Sequence, residues 1–211
     1  MDRGTALAMK VASAAASLFG NTVEQISQTI NTGRNVTIQI TNNCDAFTLA
    51  NPRTHNISGY CHHPPQPTII TKSQETCSFS KTAYSARGSI GVLMYQILNN
   101  ERNPVGELAI MFSVPYNYSL YENWFALGIY EPDISCDDNL FNKMYYDYDY
   151  NNPFSRCKGT GGVVPYFGKG VAVKGTMSAG GQSIIKVELT DEGPVVYRST
   201  RGKQTRVQHM Q

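Results

Sequence analysis

Charge is scarce in this chain. Asp, Glu, Lys and Arg make up 16% of its 211 residues and nearly cancel, at a net +2. A broad basic surface for a nucleic-acid backbone is therefore not expected. Long apolar runs are also missing: none reaches the roughly 20 consecutive residues of a conventional transmembrane helix. Any membrane role must fall to an amphipathic or interfacial element. The marks of common catalysts are absent as well. There is no GxSxG elbow, no HExxH pair and no phosphate loop, since the glycines at 159–162 lack the GK[ST] ending. The chain does not read as an enzyme and implies no cofactor.

Cysteine spacing excludes a zinc finger. Cys44, Cys61, Cys77, Cys136 and Cys157 contain no CxxC pair, and an odd count leaves at least one thiol unpaired within the chain. His62 and His63 are adjacent but have no supporting ligands nearby, and read as exposed loop residues. Asp137 and Asp138 read as solvated loop acids rather than a catalytic pair. Arg3 followed by residues 6–19 has the outline of a signal peptide, but Lys10 and several serines interrupt the stretch, which makes a poor hydrophobic region. Glycosylation sequons stand at Asn35, Asn56 and Asn117.

Proline does not occur before Pro52, which leaves residues 5–30 free to form a helix. Ala8, Ala12, Ala15, Phe19, Val23, Ile26 and Ile30 recur at spacings of three and four. Lys10, Ser13, Ser17, Asn21, Glu24 and Gln28 do so on the opposite side. The pattern predicts an amphipathic helix, weakened at Gly20 by about 1 kcal/mol and stopped near Gly33. As a continuous helix it would measure about 39 Å at 1.5 Å per residue, against a bilayer hydrocarbon core of about 30 Å.

From Arg34 the period changes to two. Val36, Ile38 and Ile40 alternate with polar residues, and further strands are expected at 69–71, 76–80, 89–98, 107–114, 124–130, 170–177 and 183–189. Many short strands separated by turn residues suggest a β-sandwich or barrel. A second helix is expected over 139–148. The last twenty residues, where Arg198, Arg201, Lys203 and Arg206 outnumber the acids, read as a solvated tail. The expected division is a helical segment at 1–33, a sandwich domain at 34–190 and a disordered basic tail at 191–211.

Aromatic residues are unevenly placed. Eight of the 13 tyrosines, and the single tryptophan, Trp124, fall between residues 116 and 150. Such rings favour membrane–water interfaces, where one end is apolar and the other wet. They can also cage a quaternary ammonium. The run Phe112-Ser-Val-Pro-Tyr-Asn-Tyr, then Tyr121, Asn123-Trp124, Met144-Tyr-Tyr and Pro153-Phe154, resembles the actinoporins, pore-forming cytolysins of sea anemones. Gly88-Ser-Ile-Gly-Val-Leu also resembles the family's preceding strand. The resemblance covers about residues 5–190.

The resemblance implies a mainly β fold of the α+β kind, a β-sandwich flanked by two helices with the N-terminal one detachable. It implies a phosphocholine pocket at Ser58, Ile90, Ser113, Pro115, Tyr121, Tyr145 and Tyr146. It further implies a membrane-interface cluster at Tyr116, Tyr118, Leu120, Trp124 and Phe125, with Arg34 as a basic residue before the first strand. The implied partners are membrane lipid, sphingomyelin above all, and further copies of the chain as a membrane-bound oligomer. The implied pore is cation-permeable. The implied form is soluble, secreted or released, and acts at a target cell membrane, with storage inside cells left open. The chain departs from the family's pattern in places. Leu120 and Phe125 stand where tryptophans are common, Phe141 replaces a pocket tyrosine, and Ser155-Arg-Cys replaces an Arg-Gly-Asp run. The competing expectation is a non-lytic lipid- or carbohydrate-binding module on the same sandwich.

Overall fold

The structure, a computed structural model, describes residues 22–149 and 151–192. Ala8, Ala12, Ala15, Phe19 and the expected tail beyond residue 192 lie outside the described residues.

Twelve strands form two six-stranded sheets. In the first, β10 (Val164–Gly168), β11 (Val171–Met177), β12 (Gln182–Asp191), β1 (Asn35–Asn42), β5 (Ser73–Ser80) and β3 (Tyr60–His63) lie in that order. In the second the order is β4 (Thr68–Ile69), β2 (Thr48–Ser58), β6 (Ser89–Leu98), β7 (Pro104–Val114), β8 (Trp124–Tyr130) and β9 (Phe154–Lys158). Pairing is antiparallel except between β1 and β12, which run parallel at the centre of the first sheet.

Alternation accounts for the core. Val36, Ile38 and Ile40 of β1 meet Leu93, Tyr95, Leu108, Ile110, Phe112 and Phe125 of the second sheet. Strands β6, β7 and β8 are apolar at nearly every position, as a strand covered on both faces must be. Their other face, including Val92, Met94, Ala109, Met111 and Ala126, lies beneath helix α2 (Asp138–Tyr146) and its Leu140, Phe141 and Met144. Asp137 starts α2 by accepting the Leu140 N–H at 3.0 Å. Asp138 follows in its first turn, 3.0 Å from His55. The two acids are thus a helix cap and a first-turn residue, not loop acids.

Helix α1 (Val23–Thr29) packs on β1 and β12 through Val23, Ser27 and Ile30, while Ile26 is half-buried. It begins at a reciprocal cap, in which Thr22 accepts the Gln25 N–H and Gln25 accepts the Thr22 N–H at 2.8 Å. Thr22 is in extended conformation, so α1 is not the end of a helix running unbroken through that residue. Ile30 is the C-cap, so the helix also stops before Gly33.

The structure makes two more corrections and settles the state of the cysteines. Strand β12 runs to Asp191, past the expected tail boundary. His62 and His63 stand on strand β3, where His63 Nδ1 lies 2.8 Å from Ser78 Oγ, rather than in a loop. All five cysteines are free thiols. Burial pushes the Cys44 thiol up to about 12 and Cys136 up to about 11, and raises Cys61 and Cys77 too, which keeps these sulfurs protonated and unreactive.

One buried charge is clamped. Glu107 of β7 is wholly buried and pairs at 2.5 Å with Arg53, which reaches across β6 from β2. Arg53 also donates to the Ile134 carbonyl, and Glu107 accepts the Asp133 N–H. Together these contacts fasten the β8–α2 loop, and so the base of α2, to the sheet.

Candidate functional site

At one end of the second sheet the β7–β8 loop, the start of β6, the end of β2 and the exposed face of α2 converge. They enclose a cavity of about 400 Å³, within the size range of small-ligand sites. Ser58, Ile90, Ser113, Pro115, Tyr121, Tyr145 and Tyr146 all line it, so residues spread over 89 positions of sequence meet at one place. Ile57, Ala86, Arg87, Gly88, Tyr116, Asn117 and Phe141 complete the wall.

Local backbone features bring the walls together. Strand β2 shifts register between Asn56 and Ser58, which turns Ser58 toward β6, where its hydroxyl donates to the Gly88 carbonyl at 2.9 Å. Gly88 runs against the β7 end so closely that a Cβ there would lie 2.1 Å from the Val114 carbonyl oxygen. Only glycine permits that approach.

Three rings of α2 form one side. Phe141 and Tyr145 stack at 5.4 Å between centroids, and Tyr145 meets Tyr146 edge-on at 4.8 Å and 76°. Two perpendicular ring faces make a corner suited to a compact organic cation, which is attracted to the electron-rich faces. Tyr146 is 65% exposed. Burial raises the Tyr145 phenol, opposed by its interaction with Ser113, so its O–H remains a donor at neutral pH.

Beside the cavity the aromatic loop projects. Tyr116, Tyr118, Leu120 and Tyr121 are exposed, Leu120 at 71%. Yet the loop is pinned from beneath. Arg34 donates through Nη2 and Nε to the Tyr116 carbonyl at 2.7 and 3.0 Å, and through Nη1 to the Gly33 carbonyl at 2.6 Å. Its guanidinium also lies 4.5 Å from the Tyr118 ring centroid. Tyr118 donates to buried Asn123, which in turn donates to the carbonyls of Ser178 and Gly180. Such anchoring keeps apolar side chains in water without letting them collapse onto the sandwich.

One residue of the expected interface lies elsewhere. Phe125 is 0% exposed and belongs to the core between the sheets, because β8 alternation points it inward, so it is no part of a surface. Trp124, on the outer face, is half-buried beneath Arg156, 5.2 Å from its ring, and Lys158. Arg156 also covers Tyr148 at 4.3 Å and donates to the Tyr145 carbonyl. The wall residues that sequence reasoning missed, Ile57, Ala86 and Arg87 among them, carry no motif. Arg87 could have been noticed as a lone cation directly before the glycine that precedes β6.

Among the described residues, no three His, Cys, Asp or Glu side chains are placed to hold a metal ion. None of the described helices is long and apolar enough to cross a membrane.

A sequence profile of the family described as sea anemone cytotoxic protein matches residues 7–191. DELTA-actitoxin-Ucs1a of Urticina crassicornis is 35% identical over 106 residues, which cover 50% of this chain and 43% of that protein. Cytolysin tenebrosin-B of Actinia tenebrosa is 30% identical over 105 residues, covering 50% and 44%. The chain thus spans less than half the length of these relatives. Among solved structures, the lipid binding protein Nakanori shares the fold with a TM-score of 0.60 and 14% identity, covering 86% of this chain and 84% of that one.

Proposed function

We propose, on the premise that this chain belongs to the sea anemone cytotoxic protein family, that it is a pore-forming cytolysin whose cavity recognises phosphocholine-headed lipid, sphingomyelin above all. The carrying observation is the cavity itself, with its perpendicular tyrosine corner beside an exposed, pinned aromatic loop. The quaternary ammonium would sit in the corner of Tyr145 and Tyr146, and the hydroxyl-bearing wall would face the phosphate. Tyr116, Tyr118, Leu120 and Tyr121 would enter the headgroup layer, where burial of their apolar bodies drives attachment.

Attachment would place α1 at the bilayer. In the soluble, released form its Val23 and Ile30 lie against the sandwich. In the membrane those side chains, with the stripe that precedes them in sequence, would exchange protein for lipid. The Thr22 cap would convert to helical backbone, giving a segment long enough to span. Several copies would surround a cation-permeable pore with their polar stripes.

Leakage of a trapped dye tests this reading. Vesicles containing sphingomyelin are expected to leak at lower protein concentration than vesicles of anionic lipid alone. Equal leakage from both would instead indicate electrostatic adsorption, which a net charge of +2 favours little. A second expectation concerns Asn117, which is both a sequon and a wall residue, with its side-chain oxygen accepting the Ser119 N–H. A glycan there would hold the loop off the bilayer. Lytic protein from the natural source should therefore be unmodified at Asn117 by mass spectrometry, and a fully glycosylated lytic form would rule out this docking face.

A further inference from the structure

The wall of the cavity is uneven in charge. Of the residues that line it, only Arg87 carries a formal charge, and no carboxylate is among them. Arg87 forms no ion pair with any described residue. It sits exposed at the mouth, while the next residue, Gly88, is buried against the end of β7 and holds this stretch of backbone at the rim. Other donors on the wall are fewer than the residue types suggest. The Ser58 proton is committed to the Gly88 carbonyl. Phe141, stacked on Tyr145, presents a ring and no hydroxyl. Of the four phenols on the wall, those of Tyr145 and Tyr146 belong to the ammonium corner, and those of Tyr116 and Tyr121 stand on the β7–β8 loop.

We infer that Arg87 supplies the charged contact to the phosphate in this cavity, beside the hydroxyls of the wall. Its ligand is then a phosphate ester that also bears a compact organic cation, held by Arg87 at one end and by the tyrosine corner at the other. This rests on the headgroup reading above and adds a specificity determinant to it. A guanidinium presents paired N–H donors that match two phosphate oxygens, and charge-assisted bonds of this kind are about twice as strong as neutral ones. The mouth position leaves the interaction partly screened by water, so its effect is moderate. The cavity would select by the phosphate as well as by the amine.

The test is equilibrium calorimetry of the full chain with phosphocholine, choline chloride and inorganic phosphate, repeated for Arg87→Ala and Arg87→Lys, with binding to sphingomyelin vesicles alongside. The parent should prefer phosphocholine to choline by at least about fivefold. Arg87→Ala should bind phosphocholine roughly tenfold more weakly and choline within about twofold of the parent. Arg87→Lys should fall between, since lysine keeps the charge but not the fork. Vesicle binding should drop together with phosphocholine binding. Unchanged phosphocholine affinity in Arg87→Ala overturns the assignment, and so does a parallel loss of choline. If the parent binds inorganic phosphate through Arg87 but binds no choline, the assignment stands and the headgroup reading falls. An Arg87→Ala effect on soluble ligands without one on vesicles has the same meaning, with a free phosphate ester as the ligand. No binding of any probe to the parent overturns both.

Discussion

Replacing Tyr145 and Tyr146 together by alanine is expected to weaken binding to sphingomyelin vesicles by about one to two orders of magnitude, since each ring–cation contact contributes about 0.5 to 2 kcal/mol. The two rings meet at 76° and form the only right-angled pair on the cavity wall among the described residues. Neither ring is a main buttress of α2, which is held to the sheet by Leu140, Phe141 and Met144. The helix should therefore remain folded in the double variant, and a thermal melt followed by circular dichroism checks this first. Co-sedimentation with vesicles then reads the loss. A folded variant that binds as the parent does would show that the cation is not held at this corner.

Arg53→Ala is expected to cost about 3 to 5 kcal/mol of folding stability, because it strands the Glu107 carboxylate in the protein interior. Glu107 is 0% exposed, and without Arg53 its remaining partner is the Asp133 N–H at 3.3 Å. Adding Glu107→Gln removes the stranded charge, so the double variant should regain part of the loss. Urea denaturation measures both. If the single variant lost less than about 1 kcal/mol, the pair would be behaving as an ordinary surface ion pair. Because Arg53 also holds the Ile134 carbonyl, the single variant should loosen α2 locally, and faster amide exchange over that helix would show it.

The sequence made the buried strands legible and the exposed ones obscure. The expected spans of β6 and β8 match those found, at Ser89–Leu98 and Trp124–Tyr130, because both faces are covered and the apolar run stands out. Strands β2, β3, β9 and β10 went unseen. In β2 the run Asn51-Pro-Arg interrupts any alternation, Asn51 adopts a positive φ of 50°, and the register shifts twice. Strand β3 is a four-residue edge rich in histidine, and β9 places Arg156 on the surface over Trp124. In these places hydrogen bonding to a neighbour, not side-chain patterning, makes the strand. The α2 expectation was close, and Asp137 as cap explains the early start.

The site was legible only through resemblance, since no local pattern links Ser58, Ser113 and Tyr145, which the fold gathers from two strands and a helix. Phe125 shows the opposite failure. Its aromatic neighbours suggested a surface, whereas its position one step along β8 from Trp124 sends it inward. The Thr22 cap was also hidden, because an apolar stripe continues through Thr22 whether or not the backbone does.

The parallel pairing of β1 with β12 sets an order of assembly. Strand β1 meets β5 early, but it cannot acquire its parallel partner β12 until nearly 150 further residues have been synthesised, as the register of Asn35 with Gln182 shows. The second sheet has no such wait. There β6, β7 and β8 are joined by consecutive hairpins, and long-range closure is slower than local pairing. On the ribosome, the surface that carries the tyrosine loop can therefore take shape while β1 still waits for β12. The platform beneath α1 is sealed last. Once sealed, β1 is held on both sides, by β12 and by β5, so strain applied through α1 meets a central strand rather than an edge that could peel away.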